Sequence, residues 1–147
     1  MQITQQTDYA LRVLIYIKIN SDRLVNISEI AEKYHISRSH LTKVVANLTK
    51  HGYLIGIRGK NGGLRLGKPS EEIVLGELFR VFEPLALIEC HTSNNNCIIS
   101  PNCRLNSIFG KALTAFVSVL DQYVLEDIVK NENLQKQLGV DVVVKAL

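Results

Sequence analysis

Cys90, Cys97 and Cys103 are the only three cysteines of the 147-residue chain, and they fall in one stretch, ECHTSNNNCIISPNC. Cysteine is otherwise a small, buried and inert hydrophobe. Here the flanking residues are His, Ser, Thr, Asn and Pro, which suit a loop and not a core. Three soft thiolates on one loop suit a metal or an iron–sulfur site. A disulfide framework fits poorly, because the count is odd and no apolar leader precedes the body of the chain. Structural zinc favours cysteine pairs with about two to four residues between them. The gaps here are six and five residues. Three thiols without a ligand is the remaining plain reading.

A second set of residues carries positive charge. From Met1 to Ser70 there are eleven Lys or Arg against four acids, and from Lys33 to Ser70 there is no acid at all. From Glu71 onward the balance reverses, with six basic and ten acidic residues. A one-signed stretch of this length is an electrostatic footprint for nucleic acid. Within it, Ser37 is placed to cap a helix whose polar face holds Arg38, Ser39, His40, Thr42, Lys43, Asn47 and Lys50. The start of a recognition helix meets base edges, so Arg38, Ser39, His40 and Lys43 are the leading candidates for DNA contact. An ordinary solvated helix face is the alternative. Downstream, Arg58, Lys60 and Asn61 stand on a glycine-rich tip, where the Asn61-Gly62 pair predicts a tight hairpin turn with positive φ. Such a wing tracks the phosphate backbone or enters the minor groove. GIRGK at Gly56 to Lys60 is not a nucleotide-binding loop, which needs four residues between its glycines and Ser or Thr after the Lys.

The elements that position these groups follow from hydrophobic spacing. Thr7 to Asn20 predicts a helix that is apolar nearly all round, and so buried on more than one side, against its own domain and a partner subunit. Asn26, with Glu29 at the capping-box position, starts a short helix to about Tyr34. After a turn at His35-Ile36, the helix capped by Ser37 buries Leu41, Val44, Val45 and Leu48 and stops at Gly52. Strands over Tyr53–Arg58 and Leu64–Leu66 complete a winged helix-turn-helix. Ser70 is expected to cap a helix to Phe82. One long helix is expected from Asn102 to about Asn131, roughly 45 Å in length. Its apolar stripe exceeds what the chain can cover, which predicts a homodimer, the alternative being a helix lying across its own domain. The fold class is therefore mainly α with a small β-hairpin wing. The expected domains are a DNA-binding domain over 1–70, a connecting helix and cluster loop over 71–101, a dimerisation helix over 102–131 and a tail over 132–147. In that tail, Val140–Val144 reads either as a short strand or as disorder. No apolar run spans a bilayer, so a soluble, cytoplasmic protein is expected. No paired carboxylates, Ser–His–Asp arrangement or cofactor loop point to an enzyme, and Cys90-His91 are adjacent, a poor geometry for catalysis.

Together these features resemble a bacterial family of dimeric winged-helix regulators carrying an iron–sulfur cluster. That family includes nitric-oxide-sensing repressors and the regulator of iron–sulfur cluster assembly. TDYALRVLIY from Thr7, IRGKNGGLRLGKP from Ile57, FEPLALIEC up to Cys90, SPNCRL around Cys103 and DQYVLEDIV carry the resemblance over almost the whole chain. It implies one cluster per subunit, [4Fe-4S] or [2Fe-2S], on Cys90, Cys97 and Cys103. It implies that Asp8, reaching from the partner subunit, is the fourth ligand. By itself Asp8 reads as a first-turn acid or an i,i+4 partner of Arg12. In the cluster-assembly regulator a His soon after the third cysteine is the ligand. Arg104, Leu105 and Asn106 follow Cys103 here, which favours the nitric-oxide sensors. His91 is a weaker ligand candidate. The resemblance further implies a repressor that binds palindromic double-stranded operator DNA and leaves it when nitric oxide nitrosylates the cluster. The alternatives are an iron- or redox-sensing cluster regulator and a cluster-free winged-helix repressor.

Overall fold

Helix α1 (Gln5–Ile19) is the axis on which the other elements pack. Its start lies before the expected Thr7, because Thr4 is the cap and its hydroxyl accepts from the Thr7 N–H. Ala10, Val13, Leu14 and Ile17 are fully buried or nearly so. The computed structural model describes residues 2–139, so the reading of Val140–Val144 lies outside them.

Helix α2 (Ile27–Tyr34) carries both halves of the expected Asn26–Glu29 capping box. His35 then takes a left-handed conformation with φ 54°, which turns the chain into α3 (Arg38–Lys50). Leu41, Val44, Val45 and Leu48 face inward as their spacing predicts. Gly52, at φ 78°, ends that helix. Strands β1 (Leu54–Ile57) and β2 (Gly63–Leu66) pair antiparallel, Leu54 opposite Leu66 and Ile57 opposite Gly63. This register leaves a loop from Arg58 to Gly62, longer than a two-residue turn. The positive φ falls on Gly59 (113°), and not on the Asn61-Gly62 pair as expected. The Gly62 N–H closes the loop on the Gly59 carbonyl. An isolated bridge between Val25 and Leu64 fastens the wing to the start of α2.

Two expectations about the second half are corrected. Ser70 does not cap a helix: it opens a 3₁₀ turn, Ser70–Glu72, and α4 begins only at Leu75 and runs to Phe82. The single helix from 102 to 131 is broken into α5 (Leu105–Leu120) and α6 (Leu125–Val129). One interaction causes both differences. Val74 and Val124 form an antiparallel bridge, with Leu75 N–H donating to Tyr123 and Leu125 N–H to Ile73. Extended backbone at 73–75 delays α4, and extended backbone at 123–125 ends the long helix. At 16 residues α5 is about 24 Å long. Arg80 holds the turn by two 2.7 Å bonds to Asp121. A Cβ on Gly76 would collide with that carboxylate, so the bare glycine backbone is needed there.

The region after Asn131 is not featureless. Asn131 caps α7 (Glu132–Leu138), and Leu138 is buried. Its carbonyl accepts from the Asn20 amide of α1 at 3.1 Å.

Candidate nucleic-acid interface and cysteine segment

Ser37, Arg38, Ser39, His40 and Lys43 are all exposed on the first half of α3, and Arg58, Lys60 and Asn61 are exposed on the wing. The inward set of α3 is locked in the core, so the register that exposes these side chains is fixed. Ser37 stands at the cap position, but its hydroxyl pairs with Ser39 at 2.8 Å and caps no helix N–H. Thr42 folds its hydroxyl back on the Arg38 carbonyl at 2.8 Å.

Ion pairing separates cations used inside the molecule from those left facing outward. Among the described residues the salt bridges are Arg12–Asp8, Lys18–Glu126, Arg23–Glu29 and Arg80–Asp121. Lys68 lies 4.5 Å from the Tyr53 ring centre. No cation of α3 or the wing is among these pairs. Among the described residues these cations are left without an ion-pair partner, which leaves their charge available to an outside anion. Arg38 and Arg58 line the same groove, together with Asn26, Ser28, Thr49, Gly59 and Gly62. His40 and Lys43 line a second, smaller cleft with Gln5, Gln6 and Tyr9 of α1. Sequence spacing missed Ser28, Gln5 and Gln6, because only the packing of α1 and α2 beside α3 brings them to this surface.

The cysteines lie on the irregular segment between α4 and α5. Cys90 is in a 3₁₀ turn, Glu89–His91, and Cys103 follows a second, Ser100–Asn102. All three thiols are free and half-buried. The loop is held by its own polar side chains. Asn96 N–H donates to Glu89, Cys97 N–H to the Asn95 side chain, and Asn95 in turn to the Ser100 hydroxyl. His91 places Nε2 3.1 Å from the Asn106 carbonyl, which ties the loop to α5. Ile98 and Ile99 project outward, Ile98 at 93% exposure.

Asp8 is in the first turn of α1, and its carboxylate is held by Arg12 at 3.1 and 2.9 Å. Among the described residues no group of three or more His, Cys, Asp or Glu stands ready to hold a metal. The donor chemistry nonetheless fits an iron–sulfur cluster: three unpaired thiols, half-buried, on a segment whose regular structure is limited to two short 3₁₀ turns. To hold such a cluster, the loop would have to draw its thiols together.

Residues 3–131 match the family described as Rrf2, iron-dependent transcriptional regulator. The chain belongs to the Rrf2 family of transcriptional regulators. Among Rrf2 relatives, the HTH-type transcriptional regulator NsrR of Oceanobacillus iheyensis is 51% identical over 135 residues, covering 90% of this chain and 92% of the relative. NsrR of Bacillus licheniformis is 49% identical over 141 residues, covering 94% and 99%. The fold is that of solved Rrf2-type regulators. IscR of T. potens superposes with a TM-score of 0.72 at 22% identity, covering 90% of each chain. CymR, the global cysteine regulator of B. subtilis, superposes with a TM-score of 0.69 at 25% identity, covering 88% of this chain and 97% of its own. The expected winged-helix class is borne out, and the chain is a DNA-binding transcription regulator rather than an enzyme. Among the described residues no helix is long and apolar enough to cross a membrane.

Proposed function

We propose that this Rrf2 regulator is a nitric-oxide-responsive iron–sulfur repressor that binds a palindromic operator as a homodimer. The observation that carries this reading is the set of three free, half-buried thiols on one segment of a chain about half identical to NsrR. Cys90, Cys97 and Cys103 would hold the cluster, with Asp8 of the partner subunit as fourth ligand. When bound, the cluster supplies an iron with a weak carboxylate ligand, open to a small reactive molecule such as nitric oxide. Arg38, Ser39, His40 and Lys43 would read base edges, while Arg58, Lys60 and Asn61 hold the backbone. Asp8 sits on α1, and α1 packs directly on α3, so a change in the hold on Asp8 reaches the recognition helix. Two recognition helices must match half-sites about one helical turn apart, or a multiple of it. A small rotation of each α1 breaks that match.

The family's description as iron-dependent favours a second reading, a cluster that reports iron supply. The residues after Cys103, Arg104-Leu105-Asn106, weigh against it. Replacing Cys97 with Ala tests the shared part of both readings. Anaerobically purified C97A should lose the visible absorbance of a cluster and at least about tenfold in operator affinity, while remaining a folded dimer. Unchanged operator affinity contradicts the proposal.

A further inference from the structure

Glu83 ends α4 and begins the arm that leads, seven residues later, to Cys90. Its carboxylate is half-buried and is held by hydrogen-bond donors of the α1 start. Both oxygens accept from the Thr4 N–H, at 3.1 and 3.0 Å. The Thr4 hydroxyl donates to it at 3.0 Å, and the Thr7 hydroxyl makes a further short bond. Thr7 is only 1% exposed, while Thr4 and Glu83 are half-buried, so the contact is partly sheltered from water. The partners are 76 to 79 residues distant in sequence.

This arrangement exceeds what a helix cap requires. Thr4 already caps α1 through its own hydroxyl to the Thr7 N–H. Glu83 adds a full negative charge at the positive end of the α1 dipole, where first-turn donors await acceptors. Among the described residues, Glu83 forms no salt bridge. N–H and O–H donors of the α1 start supply its hydrogen bonds. The contact is therefore a tie between two segments: the arm of the cysteines and the turn that carries Asp8, one residue beyond Thr7.

We propose that Glu83 is a positioning residue that transmits the state of the cysteine segment to α1 and, through α1, to the recognition helix α3. The proposal rests on the cluster-dependent reading of operator binding given above. A shift of the arm as the cysteines gather around a cluster or release it pulls on Thr4 and Thr7. Since α1 is rigid and packs on α3, the pull moves the DNA-reading surface. In a dimer where Asp8 reaches the partner's cysteines, the same tie links the two sensing sites.

The test is a double-mutant cycle on operator affinity, with Cys97→Ala and Glu83→Gln made singly and together in the full chain. Glu83→Gln keeps the size of the side chain and removes the charge that the Thr4 and Thr7 donors hold. Cys97→Ala should cost about tenfold in the Glu83 background and less than about threefold in the Glu83→Gln background. Hydrogen exchange of Glu83→Gln should show faster exchange at the Thr4 and Thr7 amides, with protection of α3 retained. Equal factors for Cys97→Ala in both backgrounds would overturn the tie and leave the cluster reading intact. No effect of Cys97→Ala even with Glu83 present would remove the cluster reading, and the tie with it. Should Glu83→Gln not fold, the same cycle is run with Thr7→Val, which deletes one donor and keeps the carboxylate, and the same outcomes decide.

Discussion

Lys60 and Arg38 are exposed cations on different supports, and their proposed effects should separate. Lys60 stands on the tip of the wing, where the proposed docking would bring it to phosphate, while Arg38 stands at the first residue of α3, where the same docking would bring it to base edges. Lys60→Ala should weaken binding to every sequence alike and reduce the salt slope of log K by about 1. Arg38→Ala should relax preference at one position of the operator, by about 1–3 kcal/mol against the wrong base. Binding measured on operator and scrambled DNA across a salt series checks both; a uniform loss for Arg38→Ala would contradict its role. Away from the interface, Glu126 is a structural carboxylate. The Ser70 hydroxyl at 2.6 Å, and after it Lys18 at 3.2 Å, hold its pKa below the ordinary glutamate value. A group depressed in the folded state stabilises it above the unfolded pKa, and that contribution is lost as pH falls through the folded value. Glu126→Gln should therefore be less stable than wild type near neutral pH, with the difference closing as pH falls below the ordinary glutamate range, as read by urea denaturation across an acid pH series. A gap that persists in acid would contradict this assignment. The chemical types of these residues were legible in the sequence. Partners such as Glu126 for Ser70, 56 residues apart, were not, because no local rule connects them.

At the scale of elements, α5 has the most unfinished surface. Ile108 and Val119 are each 53% exposed and Leu105 is 50% exposed, whereas Val117 is the one buried residue of the helix. Phe116 turns back on Phe79, with ring centres 5.3 Å apart, and gives α5 its seat on α4. The exposed apolar row is what a second copy would cover. Ile108→Asp should yield a folded monomer by sedimentation and lose the high operator affinity that comes from engaging two half-sites together. A variant that stays dimeric would contradict α5 as the interface. The early elements were readable because each carries its own local signals: the Asn26–Glu29 box, Gly52 at positive φ, and the inward set of α3. The break between α5 and α6 was not readable. DQYVLEDIV contains no Gly or Pro, and the helix ends because residues 73–75 capture residues 123–125 as a bridge. The wing was legible as a hairpin, but its turn was assigned to Asn61-Gly62. The register of the strands instead required a longer loop with its positive φ at Gly59.

At the scale of the whole molecule, α1 connects the two chemistries of the chain. It packs on α3 and β2 of the DNA-binding half and on α4, α6 and α7 of the other. The sequence showed this as a helix apolar nearly all round; the structure shows that its own chain supplies much of the cover. The sequence offered the cysteines as a candidate ligand set from their type, number and flanks. In the structure one segment holds all three, and among the described residues they do not form a closed group. The role of Asp8 rests on resemblance, and in the single chain its carboxylate belongs to Arg12. The central claim is that a cluster on these cysteines controls operator binding and responds to nitric oxide. It is tested most directly by titrating anaerobically purified protein with nitric oxide while recording the visible spectrum and operator binding in the same samples. Sulfide-to-iron absorbance should bleach into nitrosyl features as operator binding is lost. A cluster that nitric oxide leaves intact, or a colourless protein that binds the operator at full strength after cluster reconstitution has been attempted, would contradict it.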